Sequence, residues 1–124
     1  GRLLAKHGLP YGGKVHCDFV MGVPGGMPGT AEALVAGVAA LPPQVTSWSS
    51  TGVGRSTIPV ALAALSLGGH LRVGMEDVLT MAKGVPVERN AQLVERAAAL
   101  ASLAGRRPMS GDEAREMLSI RPAA

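Results

Sequence analysis

Two separate stretches of the chain alternate apolar and polar residues, a further strand is expected between them, and apolar residues recur at helical spacing in the intervening segments. In the first stretch Val15, Cys17, Phe19 and Met21 alternate with His16, Asp18 and Val20, which predicts a strand from Val15 to Val23. A second strand is predicted from about Val45 to Thr51. In the other alternating stretch Leu71, Val73 and Met75 form an apolar row, and Arg72, Gly74 and Glu76 form the opposite one, which predicts a strand from Leu71 to Glu76 with Asp77 at its end. A half-buried strand in an open sheet turns its polar row to water. A barrel strand turns its apolar row to surrounding helices and its polar row to the barrel axis and mouth. Gly74 is expected to leave open space on the polar row, where a ligand could approach.

The intervening segments carry helix signals. Residues Gly1 to Gly13 read as the end of a helix and a loop turning at Gly8-Leu9-Pro10. Thr30 is a good N-cap with Glu32 in the first turn, for a helix through about Leu41 that Pro42-Pro43 stops. Ser56 is expected to cap a helix from Thr57 to Leu67, closed by Gly68-Gly69. After a loop at Lys83-Gly84-Val85-Pro86-Val87, Asn90 is expected to cap a helix whose Leu93, Val94, Ala97, Leu100, Ala101 and Ala104 form one stripe, ended by Gly105. Ser110 with Glu113 is a capping box for a short last helix to about Ile120. Strand and helix thus alternate three times in units of about thirty residues, as parallel βαβ units require. The fold class is α/β. Three strands cannot close a barrel, so the alternatives are a small three-layer α/β fold and part of something larger.

Composition narrows this picture. The 124 residues suffice for one domain, and 47% hydrophobic with 17% charged residues indicates a buried core. Aromatics are only 2%, so that core is built from Ala, Val, Leu and Met. The net charge is +3, but the basic residues are scattered, with only Arg106-Arg107 adjacent and no interleaved aromatics, which argues against a nucleic-acid partner. The single Cys17 rules out an internal disulfide and fits a reducing compartment. No apolar run reaches membrane-spanning length and no signal peptide is visible, so no membrane partner and a cytoplasmic location are expected.

Candidate chemistry concentrates at Arg72, Glu76 and Asp77. Three charged groups at one strand end are costly unless paired, solvated or bound to something. A structural Arg–Glu pair closing the strand and a functional cluster both satisfy that condition. The loops containing Gly25 and Gly26 and containing Gly52, Gly54 and Arg55 fall at strand ends, where backbone amides cradle phosphates or simply make tight turns. Isolated histidines such as His16 and His70 are more often structural than metal-ligating. Cys17 reads as a core residue, and Trp48 as packing between strand and helix.

The stretch Gly69-His70-Leu71-Arg72-Val73-Gly74-Met75-Glu76-Asp77, preceded by Gly52-Val53-Gly54-Arg55 and Ile58-Pro59, resembles the β-keto acid cleavage enzymes, which include the 3-keto-5-aminohexanoate cleavage enzymes. The resemblance continues through Lys83-Gly84-Val85 and Asn90-Ala91-Gln92-Leu93-Val94-Glu95, and reaches back to Phe19-Val20-Met21-Gly22-Val23-Pro24-Gly25-Gly26-Met27-Pro28. It implies a partial TIM (β/α)8 barrel. Residues 1–124 would supply the last three βα units with a C-terminal helix, the N-terminal half being absent. It implies a zinc ion held by Glu76 and by a His-x-His pair from the absent half, with Arg72 and Asp77 as the catalytic pair. Acetyl-CoA would be the co-substrate and a small β-keto acid the substrate, giving acetoacetate and a new acyl-CoA. CoA phosphates would fall to Gly25, Gly26, Gly52, Gly54 and Arg55. The chain departs from the family's usual pattern at Val78, where Asn is usual, and near Thr57, where Gln is frequent. Taken alone, the chain is expected to be inactive and to form a homo-oligomer or to need a complementary N-terminal half. The competing expectation is a non-catalytic α/β fragment or assembly module that pairs with itself or another half-barrel.

Overall fold

The structure is a computed structural model that describes residues 2–9 and 14–120; the Pro10 end of the first expected loop lies outside the described residues. Helix α1 (Arg2–His7) precedes β1 (Val15–Met21), α2 (Ala31–Ala39), β2 (Val45–Gly52), α3 (Thr57–Ser66) and β3 (His70–Leu71). The chain goes on through β4 (Thr80–Ala82), β5 (Val85–Pro86), α4 (Asn90–Leu103) and α5 (Gly111–Leu118). The main sheet is parallel with order β1-β2-β3, and it aligns Asp18 with Ser49, Val20 with Thr51, and Ser49 with His70. This is a mixed α/β fold with a parallel sheet, as the alternating pattern predicts.

The third strand is shorter than its side-chain alternation predicts. One ladder bond continues past Leu71, from Arg72 N to Ser50 O at 3.1 Å. The Gly74 carbonyl then accepts from both Asp77 N, at 3.0 Å, and Val78 N, at 3.2 Å, which folds the chain into a turn. Beyond Gly52 the neighbouring strand has become a 3₁₀ turn at Gly54–Ser56, so residues 73–76 have no ladder to join. The alternation still records burial. Leu71 packs on a first cluster of Met21, Leu34, Val60 and Ala64, while Val73 and Met75 pack on a second one of Val78, Val87 and Leu93. The expected loop from Lys83 to Val87 is a hairpin, β4 pairing antiparallel with β5 around Gly84 at φ +78°.

Two of the four expected caps form. Thr30 Oγ1 accepts from Ala33 N at 3.2 Å, and Ser110 and Glu113 close a reciprocal box, with Glu113 N donating to Ser110 Oγ at 3.2 Å and Ser110 N to Glu113 Oε2 at 2.8 Å. Ser56 makes no cap bond, because it belongs to the 3₁₀ turn and its side chain is pressed against Gly22 and Gly29, where a Cβ would collide with it. Thr57 ties the turn instead, its hydroxyl donating to the Gly52 and Gly54 carbonyls at 2.8 Å each. Asn90 is the first helical residue of α4 rather than its cap. Gln92 Oε1 accepts from Glu88 N at 2.8 Å, which frees Asn90 Oδ1 to accept from Met75 N, also at 2.8 Å.

Trp48 lies over Gly69, where any Cβ would collide with its indole, and meets the Phe19 ring edge-on at 5.9 Å between centroids. Cys17 is half-buried on the apolar row of β1. Behind α4, Arg106 donates to the carbonyls at the end of α3: Gly69 O at 2.6 Å, Leu65 O at 3.3 Å and Gly68 O at 3.3 Å. Those acceptors carry the negative end of the helix dipole, so the guanidinium is favourably placed. Among the described residues no helix is long and apolar enough to cross a membrane.

Candidate functional site

One face of the sheet carries the apolar cluster. The other carries a polar row contributed by all three strands. Alternation brings His16 and Asp18 of β1 onto that face, and the parallel register sets Ser47, Ser49 and Thr51 of β2 beside them. Ser49 Oγ donates to Asp18 Oδ1 at 2.6 Å and Thr51 Oγ1 to Asp18 Oδ2 at 2.9 Å. The His16 ring spans two serines, with Nδ1 2.8 Å from Ser47 Oγ and Nε2 3.0 Å from Ser49 Oγ. Since the Ser49 proton is spent on Asp18, His16 Nε2 is the donor to Ser49 Oγ. The His70 ring lies 6.2 Å from that of His16. Burial depresses its pKa below the ordinary imidazole value, and the charges of Arg106 and His16 push it the same way.

The residues expected to do chemistry stand together just past β3. Arg72 Nη2 donates to Glu76 Oε1 at 2.8 Å, and Arg72 Nη1 lies 3.1 Å from Asp77 Oδ2 and 3.9 Å from Asp18 Oδ2. Nη1 donates instead to Thr51 Oγ1 at 3.2 Å. Asp77 Oδ2 is buried and has no hydrogen-bond partner, despite its closeness to the guanidinium. The two carboxylates differ in setting: the Asp77 side chain is 11% exposed and that of Glu76 56%. Burial raises the Asp77 pKa; Arg72 opposes the rise, while the negative charges of Glu76 and Asp18 add to it. The open space expected at Gly74 is taken up by the Glu76 carboxylate, which folds back over the glycine where a Cβ would stand.

Asp18 is the main member of the site that the sequence reading left out, together with its partners Ser49 and Thr51. The signal was present in the period-two polar positions of β1 and β2, but only the strand register shows that they meet.

Metal fit is poor on this chain's residues alone. Among the described residues no three His, Cys, Asp or Glu side chains gather as a metal would need, and Glu76 is already engaged by Arg72. Zinc sites ordinarily have three or four protein donors, so these residues supply at most one.

The glycine loops divide between two clefts. A cleft of about 600 Å³ runs from Gly54, Arg55 and Thr57 past Glu76 and Asp77 to Lys83 and Arg96. A second, of about 540 Å³, lies between Pro24, Gly29 and Arg55. Arg55 borders both, whereas Gly25, Gly26 and Gly52 border neither. Gly25 at φ +79° and Gly54 at φ +57° make turns that L side chains strain to adopt. At Gly52 a Cβ would strike the Ser56 and Thr57 backbone, so its role in this structure is close packing.

The model of the beta-keto acid cleavage enzyme family matches residues 2–120. A 3-keto-5-aminohexanoate cleavage enzyme of Acetoanaerobium sticklandii is 42% identical over 106 residues, covering 86% of this chain and 38% of that protein. A 3-oxoadipate:acetyl-CoA acetyltransferase of Cupriavidus necator is 37% identical over 87% of this chain and 39% of its own length. A 3-dehydrocarnitine:acetyl-CoA trimethylamine transferase of Rhizobium meliloti is 34% identical over 94% of this chain and 38% of its own. The chain therefore spans under two fifths of the length of these curated relatives.

Proposed function

The chain belongs to the beta-keto acid cleavage enzyme family, and from that premise we propose that it forms the last three βα units and C-terminal helix of a TIM barrel. The barrel would exchange acyl groups between a small β-keto acid and acetyl-CoA. The parallel β1-β2-β3 order and the polar row on one face support this placement, because that row would line the barrel axis. The charged cluster would then lie at the mouth formed by the C-terminal strand ends, where barrel enzymes place their catalytic groups.

The observation that carries the proposal is Asp77 Oδ2, buried and without a hydrogen-bond partner beside a guanidinium. A β-keto acid has an acidic carbon between two carbonyls, and the free oxygen suits the base that removes its proton. Burial raises the basicity of that carboxylate. Arg72 orients Asp77 and offsets negative charge that grows in the transition state. Zinc, where bound, would polarise the keto group as a Lewis acid. In this reading Glu76 would be one donor, with the remaining donors from outside the chain. Acetyl-CoA would enter along the cleft of about 600 Å³. There Arg55, Lys83 and Arg96 have no carboxylate partner among the described residues and offer positive charge to its phosphates, and Gly54 lines the same wall. Gly25, Gly26 and Gly52 would shape the mouth as turns.

The test is acyl exchange by this chain assembled with an N-terminal segment from a relative. Asp77→Asn is expected to lower kcat by about 10²–10⁴ with the protein still folded. Near-wild-type turnover would remove Asp77 from the mechanism. An assembled barrel that folds and shows no exchange at all would favour the non-catalytic reading.

A further inference from the structure

Asp77 has a guanidinium nitrogen 3.1 Å from its buried oxygen and yet forms no hydrogen bond with it. An arginine so close ordinarily turns a fork of N–H groups onto a carboxylate. Here Nη2 donates to Glu76 Oε1 and Nη1 to Thr51 Oγ1. Thr51 can hold that N–H because its own proton goes elsewhere, to Asp18 Oδ2 at 2.9 Å. Asp18 is fixed in turn by Ser49 on its other oxygen, and Ser49 by the His16 ring. Thr51 is 1% exposed, so no surface water competes for its hydroxyl. The hydroxyl protons of Thr51 and Ser49 both go to the Asp18 carboxylate, and that sets the direction of the relay.

We propose that Asp18 and Thr51 are a positioning pair: they draw one guanidinium N–H of Arg72 off Asp77 and so keep Asp77 Oδ2 open to a proton from substrate. The inference rests on the reading of Asp77 as base, and it assigns a function to β1 and β2 residues that touch no reacting atom. Arg72 is thereby kept close enough to stabilise charge without spending the lone pair that the chemistry needs. Without the relay, the nearest free acceptor for Nη1 is Asp77 itself.

The test uses Thr51→Val, which keeps the shape and removes the hydroxyl, with Thr51→Ser as its rescue and Asp18→Asn as a second variant. Nitrogen-15 NMR of the Arg72 guanidinium in the whole chain reads positioning directly, whether or not the chain catalyses anything. In the wild type the two Nη groups are expected to resolve as distinct, slowly exchanging environments. Thr51→Val is expected to change them, and Thr51→Ser to restore them. In the assembled barrel kcat is expected to fall roughly tenfold or more in Thr51→Val, with KM for acetyl-CoA unchanged and kcat recovered in Thr51→Ser. A guanidinium spectrum in Thr51→Val and Asp18→Asn identical to that of the wild type would overturn the inference, as would a kcat loss that serine does not restore. A changed spectrum in a barrel without acyl exchange would leave the positioning pair standing and defeat the functional reading instead.

Discussion

The inner strand and its two neighbours solve different problems. β2 is hydrogen-bonded on both sides, by β1 along its length and by β3 near its end, and its last four residues, Ser49 to Gly52, are buried. Its ordered backbone presents hydroxyls to the polar face at a fixed spacing. β1 and β3 each have one neighbouring strand among the described residues, and β1 adds a single bridge from Met21 to Met27 on its other edge. β3 leaves the ladder after two residues and carries the charged cluster on a turn. Regular pairing thus fixes the β2 hydroxyls, and one of them, Thr51, accepts from Arg72, which in turn holds Glu76, so the charges are not held by a ladder of their own. Precision at an irregular strand end is borrowed from the strand next door.

The unequal edges give the largest expected effect. An open parallel edge beside apolar surface favours further pairing, and apolar exposure costs about 25 cal/mol per Å². Leu79 and Leu103 are 69% and 86% exposed, and Val94 on α4 is 56% exposed. The chain on its own is expected to run as a dimer or larger assembly by light scattering at micromolar concentration. A monomer with cooperative thermal unfolding would break the comparison, since the outer strands would then need no partner.

Core truncation sharpens it. Leu34→Ala empties the closed cluster behind β1 and β2 and is expected to cost about 3 kcal/mol in denaturant unfolding. Val87→Ala thins the smaller cluster behind the turn that follows β3 and is expected to cost about 1–2 kcal/mol. Equal losses would mean that the second region is packed as firmly as the first.

The smallest expected effect lies at α5. Arg107 and the Ser110 backbone hold the Glu113 pKa down to about 2, from an ordinary value of 4.5. A carboxyl depressed in the folded state contributes its stability above its unfolded value and loses it as pH falls through the folded one. The anchoring of α5 is therefore expected to weaken between about pH 4.5 and 2. Glu113→Gln should flatten that part of the profile in circular dichroism, and an unchanged profile would remove the pair from the account.

Much of the fold was legible because β1, α2 and α3 keep one period throughout and the elements end at glycine or proline. The length of β3 was not legible. Alternation reports which way side chains point, and Val73 and Met75 do point to an apolar cluster, but it says nothing of whether a partner strand is still alongside. Ser56 and Asn90 carry cap chemistry by type, yet tertiary contacts claimed both. Within the site, Arg72, Glu76 and Asp77 were visible because they are six residues or fewer apart. Asp18 was not, because its partners lie 31 and 33 positions away and only the register unites them.

Arg106 sets an order on how this protein comes into being. A ribosome releases the chain from its N-terminal end, so β1, β2, α3 and the whole Arg72–Asp77 cluster emerge before the residue that clasps the carbonyls just ahead of β3. Until the turn behind α4 has left the exit tunnel, the short strand that leads into the cluster is fastened by its few bonds to β2 alone. A nascent chain stalled before that point would hold every residue of the charged cluster and lack the clasp that seats it.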